Sequence, residues 1–162
     1  MNTQKNICLM ILVISGLLSC KKDEVGKTAD NIASLPVTVQ NAMAYRPDPT
    51  VSTSKSAGGT IQVVLAIPAG TGRTIKEITK VAANTSYTQI QSSGTSGFYT
   101  SAPIPGNGTT VTFNTTLSEY MVKFPGIVPP SNTELVRRFY FLLTLDNGST
   151  IVTTPVRVLV LD

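Results

Sequence analysis

The sequence predicts an all-β fold, an antiparallel sandwich of about seven strands behind a targeting segment and a tether. Three observations predict it. From Pro36 onward Thr, Ser, Val, Ile, Gly and Pro dominate the composition. Short apolar runs, some alternating with period two, recur between Gly/Pro/Asn clusters about every 8–15 residues. Near the end of the chain, Asp146-Asn147-Gly148-Ser149 interrupts two apolar runs as a hairpin turn would.

Taken in order, Pro36-Val37-Thr38-Val39 reads as a first, edge strand, broken by Tyr45-Arg46-Pro47-Asp48-Pro49. Gly58-Gly59 leads into residues 60–67, where Ile61, Val63, Leu65 and Ile67 share one face, and Pro68-Ala69-Gly70 ends the run. Residues 74–83 carry two signals. Ile75, Ile78, Val81 and Ala82 have helical spacing, and Thr74 with Glu77 would make a capping box. A strand is preferred, because the neighbouring segments are strands and helices are rare in sandwiches. Residues 87–90 and 98–100 read as short strands around Ser92-Ser93-Gly94, residues 103–108 as a turn, and residues 109–113 as the next strand. Thr116-Leu117-Ser118-Glu119 offers a second capping box and a short helical turn over 117–122, followed by a long loop through Pro125-Gly126 and Pro129-Pro130-Ser131-Asn132.

In the closing hairpin, Asn147-Gly148 as a type I′ pair would set Leu145 opposite Thr150, Leu143 opposite Val152, Phe141 opposite Thr154 and Phe139 opposite Val156. One face then holds Phe139, Phe141, Leu143, Leu145, Val152, Val156, Val158 and Val160. The same register places Arg138 opposite Arg157, an unfavourable pair, so a bulge near Pro155 is expected to reset it. The reverse face, with Tyr140, Leu142, Ile151, Arg157 and Leu159, is too apolar for water. It needs a neighbouring strand, the tether or a partner protein over it. These strands and turns suit an immunoglobulin- or fibronectin-III-like sandwich. The Trp and disulfide of antibody domains are missing, since the chain has no Trp and 2 Cys.

The N-terminus reads as an address. Lys5 is the sole charge before an apolar run of about 12 residues from Ile7, whereas a spanning helix needs roughly 20. The run ends in Leu17-Leu18-Ser19-Cys20, which resembles the lipobox of bacterial lipoproteins. The resemblance implies a signal peptide over 1–19, peptidase cleavage between Ser19 and Cys20, and lipidation of the Cys20 thiol and new amine. Several acyl chains, at about 0.8 kcal/mol per buried CH₂, anchor stably where one chain would not. Cys8 would leave with the signal peptide, so the mature chain has no second cysteine for a disulfide. Lys21-Lys22-Asp23-Glu24 resembles the short charged surface-export signal that follows the lipidated cysteine in Bacteroidota; a solvated start to a tether is the other reading. Residues 20–35 would form that lipidated flexible tether, reaching roughly 50 Å when extended, and 36–162 the sandwich.

Residues 59–68, Ile75-Lys76-Glu77-Ile78-Thr79-Lys80-Val81, residues 108–113, residues 139–151 and Pro155-Val156-Arg157-Val158 together resemble a family of small Bacteroidota surface lipoproteins. Some of these are similar to the accessory lipoproteins of glycan-uptake loci, which carry immunoglobulin-like domains. The resemblance implies an outer-membrane module, facing either the cell surface or the periplasm. Its role would be to bind or assemble with an envelope protein, or alternatively to bind carbohydrate.

Composition narrows the chemistry. The chain of 162 residues has no His, which removes the commonest general base and metal ligand. Its carboxylates form no same-face pair on a strand, Gly-x-Ser-x-Gly is absent, and Ser52-Thr53-Ser54-Lys55 lies in a loop-like stretch. No catalytic residue, metal site or cofactor is expected, and the protein is read as a non-enzyme. Losing Lys5 takes the net charge from +4 to +3, with basic residues scattered, so no nucleic-acid partner is expected. Tyr87, Phe98 and Tyr99 are the candidate stacking platform for a sugar ring, with core or rim packing as the plainer role.

Overall fold

The structure is a computed structural model that describes residues 35–162, apart from Arg46, Thr85, Thr95 and Ser101. The predicted leader and the bulk of the tether, with Ser19, Cys20, Lys21, Lys22, Asp23 and Glu24, lie outside the described residues. Residues 35–162 form one unit.

Eleven strands and two short α-helices are described, with a 3₁₀ turn at Ala69–Thr71: β1 (Thr38–Val39), β2 (Ala44–Tyr45), β3 (Pro49–Ser54), β4 (Thr60–Ala66), β5 (Ile75–Asn84), α1 (Thr88–Gln91), β6 (Ile104–Pro105), β7 (Thr110–Thr116), α2 (Leu117–Lys123), β8 (Thr133–Glu134), β9 (Arg138–Leu145), β10 (Thr150–Val152) and β11 (Arg157–Leu161). They build three sheets, ordered β1-β4-β7, β10-β9-β5-β6 and β2-β3-β11-β8. The first two face each other. Ile61, Val63, Leu65, Val111 and Phe113 from one sheet meet Ile75, Ile78, Val81, Phe139, Phe141 and Leu143 from the other in one buried cluster. The Phe113 ring lies 5.4 Å from both Phe139 and Phe141, so the aromatic contacts span the two layers.

This is an immunoglobulin-like sandwich. Sheet β1-β4-β7 stands where strands A, B and E stand, and β10-β9-β5-β6 where G, F, C and C′ stand. One pairing is not antiparallel: β11 runs parallel to β3, from Arg157 opposite Thr50 to Leu161 opposite Ser54. Strand β3 has no apolar alternation to announce it. Its buried residues include Thr50 and Thr53, and Thr53 Oγ1 donates to the Thr60 carbonyl, so hydroxyls satisfied by backbone take the place of aliphatic side chains.

Strand β4 matches its expected alternation, with Ile61, Val63 and Leu65 fully buried. Strand β5 explains the ambiguous signal at 74–83. Its pairing with β9 shifts register twice, between Ile75 and Glu77 and again between Ile78 and Lys80. Each irregularity adds one residue, so the inward side chains Ile75, Ile78 and Val81 come three apart, and a bulged strand imitates helical spacing.

The closing hairpin departs from the predicted register. Thr150 pairs with Thr144, Ile151 with Leu143 and Val152 with Leu142, one residue out of the expected step. The turn is the cause. Gly148 has φ 82° but Asn147 is not in the left-handed region, so a type I′ pair is not formed. Instead the Leu145 N–H donates to the Ser149 carbonyl across a three-residue loop, with Gly148 in the left-handed position of the bulge. Ile151 therefore joins the core and Val152 turns to the reverse face, the opposite of the expected assignment. After Thr153 the chain returns to the expected step at Phe139–Val156 and then leaves for the third sheet. That switch separates Arg138 from Arg157. Arg138 binds Asp48 at 3.2 Å and Arg157 binds Glu134.

Residues 87–90, expected as a strand, belong instead to a turn and α1. Ile90 is buried and sits with Ala82 and Tyr140 on the outer face of the β5–β9 sheet. With Tyr87 and Phe98, this helical turn covers the Tyr140 part of the expected reverse face, while Ile151 joins the main core and Arg157 and Leu159 belong to β11. Residues 98–100 form only a bridge, Thr100 to Val81, and residues 104–105 of the expected turn make the short strand β6. Gly106 fits there because a Cβ would stand 2.0 Å from the Ile75 carbonyl oxygen.

Candidate binding groove

Helix α2 forms as its capping box predicts. Thr116 Oγ1 accepts from the Glu119 N–H at 3.1 Å and closes the first turn. Leu117 and Tyr120 are its buried residues. The Tyr120 hydroxyl accepts from the Arg137 N–H at 3.2 Å, tying the helix to the start of β9 as a tyrosine corner ties the equivalent connection. Burial pushes the Tyr120 phenol above its ordinary value, against the lowering effects of this hydrogen bond and the Arg137 charge.

The other side of α2 looks onto a groove of about 700 Å³. Ser118, Glu119, Val122 and Lys123 line one wall, Phe98, Thr100, Ala102 and Ile104 the other, and Phe113, Asn114 and Thr115 of β7 lie between. Val122 is 81% exposed, unusual for a large aliphatic side chain on a folded domain.

Beneath this groove the polar groups form a directed chain. Thr115 Oγ1 donates to Glu119 Oε2 at 2.6 Å. A threonine hydroxyl has one proton, so in the 2.6 Å bond between Tyr99 and Thr115 the phenol is the donor. Only half of the capping box is therefore made: Thr116 Oγ1 accepts the Glu119 N–H, while the Glu119 carboxylate accepts from Thr115 rather than from the Thr116 N–H. Burial raises the Tyr99 phenol first of all, and the nearby Glu119 and Tyr120 add to it. Lys123 Nζ stands 5.0 Å over the Tyr99 ring. The arrangement keeps Tyr99 protonated and Glu119 oriented, as a polar anchor beside an apolar trough.

The three predicted aromatics do not make one platform. Tyr99 is 4% exposed, with its ring against Phe113 and Phe139, so it is a core residue and corrects the stacking role assigned to it. Tyr87 and Phe98 belong to the other face of the sheet. Tyr87 packs edge-on against Tyr140 at 4.8 Å, and Phe98 packs on the Ala82, Ile90 and Tyr140 cluster. Lys80 Nζ covers the Phe98 ring at 4.8 Å. Of the three, Phe98 and Tyr99 touch the groove, and Phe98 alone is partly exposed there.

Asn114, Ser118, Glu119 and Lys123 are groove residues that the sequence reading does not single out. Glu119 is legible there only as a cap. Three other carboxylates face cations: Asp48 with Arg138, Asp146 with Arg73 at 3.7 Å, and Glu134 with Arg157. The Ser52–Lys55 stretch runs along β3 into a turn rather than a helix. Among the described residues no helix is long and apolar enough to cross a membrane. Compared with protein-family models, curated proteins and solved structures, the chain matches none.

Proposed function

We propose that this protein is a non-enzymatic, lipid-anchored binding or assembly module of the cell envelope, held at the outer membrane through Cys20. The observation that carries the proposal is the N-terminal order of features. Lys5, a short apolar run and Leu17-Leu18-Ser19-Cys20 precede a polar segment, and a β-sandwich begins at Leu35. A lipid-bearing residue followed by a polar spacer suits a domain that works at a distance from the bilayer. The groove beside α2, lined by apolar side chains and by polar ones that include the charged Glu119 and Lys123, supports binding as the role of the domain. The Lys21-Lys22-Asp23-Glu24 run supports the cell surface as the side it faces.

Two variants and a protease test the proposal. The wild-type protein should fractionate with the outer membrane and be shaved from intact cells by added protease. Cys20→Ala should release it from the membrane, and replacing Lys21, Lys22, Asp23 and Glu24 by alanine should protect it from shaving. Membrane association that survives Cys20→Ala would overturn the anchoring. Protection of the wild type until the outer membrane is broken would place the domain in the periplasm.

A further inference from the structure

We infer that the groove receives an extended peptide segment of a partner protein, which adds as a strand to the free edge of β7. The inference rests on the binding-module reading above and names the class of partner. Three features of the sheet lead to it.

The first is the edge itself. Each of the three sheets ends in strands of two or three residues, except where the first sheet ends in β7, which has seven. Folded proteins ordinarily keep their edge strands short, bulged or covered. In an immunoglobulin-type sandwich the place beside strand E is filled by strand D. Here the chain passes from β6 to β7 with only the Asn107–Thr110 bridge between them, and that place is empty among the described residues.

The second is the direction of the backbone groups. Leu117 N–H donates to the Gly59 carbonyl and Ile67 N–H to the Thr109 carbonyl. Both pairs follow the β4–β7 register, so the odd-numbered residues of β7 direct their backbone groups at β4. The even-numbered ones point away. Thr110 is satisfied by Asn107, but the outward N–H and C=O of Thr112 and Asn114 meet no partner among the described residues. Two donor–acceptor pairs one strand repeat apart are the complement of another extended backbone. A sugar or a lipid does not present that spacing.

The third is the trough. Ile104, Phe113 and Val122 are apolar residues lining the space beside this edge. A strand lying there turns every second side chain toward them and the others toward water. The partner segment is therefore one with apolar residues at alternate positions. Glu119 and Lys123 bracket the helix end of the trough and favour a polar or charged residue where the segment leaves it.

The test uses the full mature chain in detergent and nine-residue peptides that alternate Val, Leu, Ile or Phe with Thr and carry Lys at each end. Amide hydrogen exchange is the readout. Without peptide, the Phe113 and Thr115 amides should be protected and those of Thr112 and Asn114 should exchange about a hundredfold faster. Saturating peptide should slow Thr112 and Asn114 by tenfold or more. Asn114→Pro removes an outward N–H without breaking the β4–β7 ladder, and should weaken binding by about tenfold or more. As a control that leaves the protein unchanged, N-methylation of the peptide on alternate residues should abolish binding for one set of residues and spare the other.

Four outcomes would overturn the inference. No peptide protects the two amides at millimolar concentration. The amides are already protected in the dilute free chain, which makes a segment of the chain itself the occupant. Their protection rises with protein concentration, which makes it a second copy. Or oligosaccharides, and not peptides, shift Phe98, Asn114 and Glu119, which makes the groove a sugar site. Because the exchange is read on purified protein and the anchoring in cells, either reading can fail while the other stands.

Discussion

The β5–β9 sheet is apolar on both faces, but the two faces are covered in very different ways. Its inner face meets a whole opposing sheet. Phe139, Phe141 and Leu143 are fully buried within a cluster that runs from Leu35 to Val160. Its outer face is covered locally by α1, where Ala82, Ile90 and Tyr140 make a three-residue buried cluster edged by Phe98, Leu142 and Val152. The inner face is shared by strands distant in sequence, so it can open only when the sandwich comes apart. The outer face depends on one helical turn of four residues, too short to be stable alone. Two similar apolar surfaces on one sheet thus differ in cooperativity, and burial alone does not report that difference.

The largest effect that would sharpen this contrast belongs to the inner face. Phe139 contacts Phe113, Tyr99 and Tyr120 through its ring and is 0% exposed. Phe139→Ala should cost about 3–5 kcal/mol, a large part of a domain's total stability. Denaturant unfolding should show the midpoint falling with a single transition. If the variant instead lost only local structure, the inner face would not be the cooperative unit described above.

On the outer face Ile90→Ala should cost about 2 kcal/mol, the lower end for such a truncation, because α1 can shift toward the gap. The stronger expectation concerns its distribution. Amides around Thr88–Gln91 should exchange by local opening in the variant, while those of β9 keep their protection. Equal loss across both faces would erase the distinction. Tyr120→Phe comes next at about 1–3 kcal/mol, since it leaves the partly buried Arg137 N–H without its acceptor. Thr116→Ala, which removes the cap of α2, should cost about 1 kcal/mol and fray the helix that walls the groove.

The same contrast governs what could be read from the sequence. Features set by near neighbours were legible. The alternation of Ile61, Val63 and Leu65 gave β4, and Thr116 with Glu119 gave α2. Features set by distant partners were not. Strand β3 is held by pairing with β11, more than a hundred residues away in the chain, and its own side chains are mostly hydroxyls. The bulges of β5 gave a strand helical spacing, so residues 74–83 carried two signals and only the neighbouring strands favoured the correct one. The hairpin turn was located correctly, yet Asn147 stays out of the left-handed region and its Oδ1 accepts from the Ser149 N–H, so the register slipped by one. The reverse face was recognised as too apolar for water, but a covering helix at residues 88–91 could not be read from Thr-Gln-Ile-Gln. As to the site, the expected lipidation at Cys20 rests on a linear pattern that lies outside the described residues. The groove is assembled from residues 98–104, β7 and α2, and no linear pattern joins them. Its one available sign was the absence of any strand signal between residues 105 and 109, which leaves β7 without a neighbour on that side.

The smallest effect at neutral pH becomes visible in alkali, and it compares the two faces through their tyrosines. Tyr99 on the inner face and Tyr140 on the outer are 4% and 2% exposed, and burial raises both phenols above the ordinary value of 10.0. Around Tyr140 the Arg138 charge opposes the shift and Asp48 adds to it; around Tyr99 the Glu119 charge adds to it. A raised phenol binds its proton more tightly in the folded state than in the unfolded one. Its stabilisation is therefore complete below pH 10 and is lost as pH rises through the folded value. Each such group steepens the fall by up to about 1.4 kcal/mol per pH unit in that window. Tyr99→Phe and Tyr140→Phe should each flatten the alkaline limb of a stability–pH curve, leaving its neutral region displaced but parallel. The two faces then separate by probe. With Tyr140 intact and Tyr99 replaced, raising the pH should expose α1 to exchange before the global transition, because ionising Tyr140 strikes the local cluster that α1, Tyr87 and Phe98 cover. With Tyr99 intact and Tyr140 replaced, the loss should arrive only in the global transition, since ionising Tyr99 strikes a core that cannot open in part.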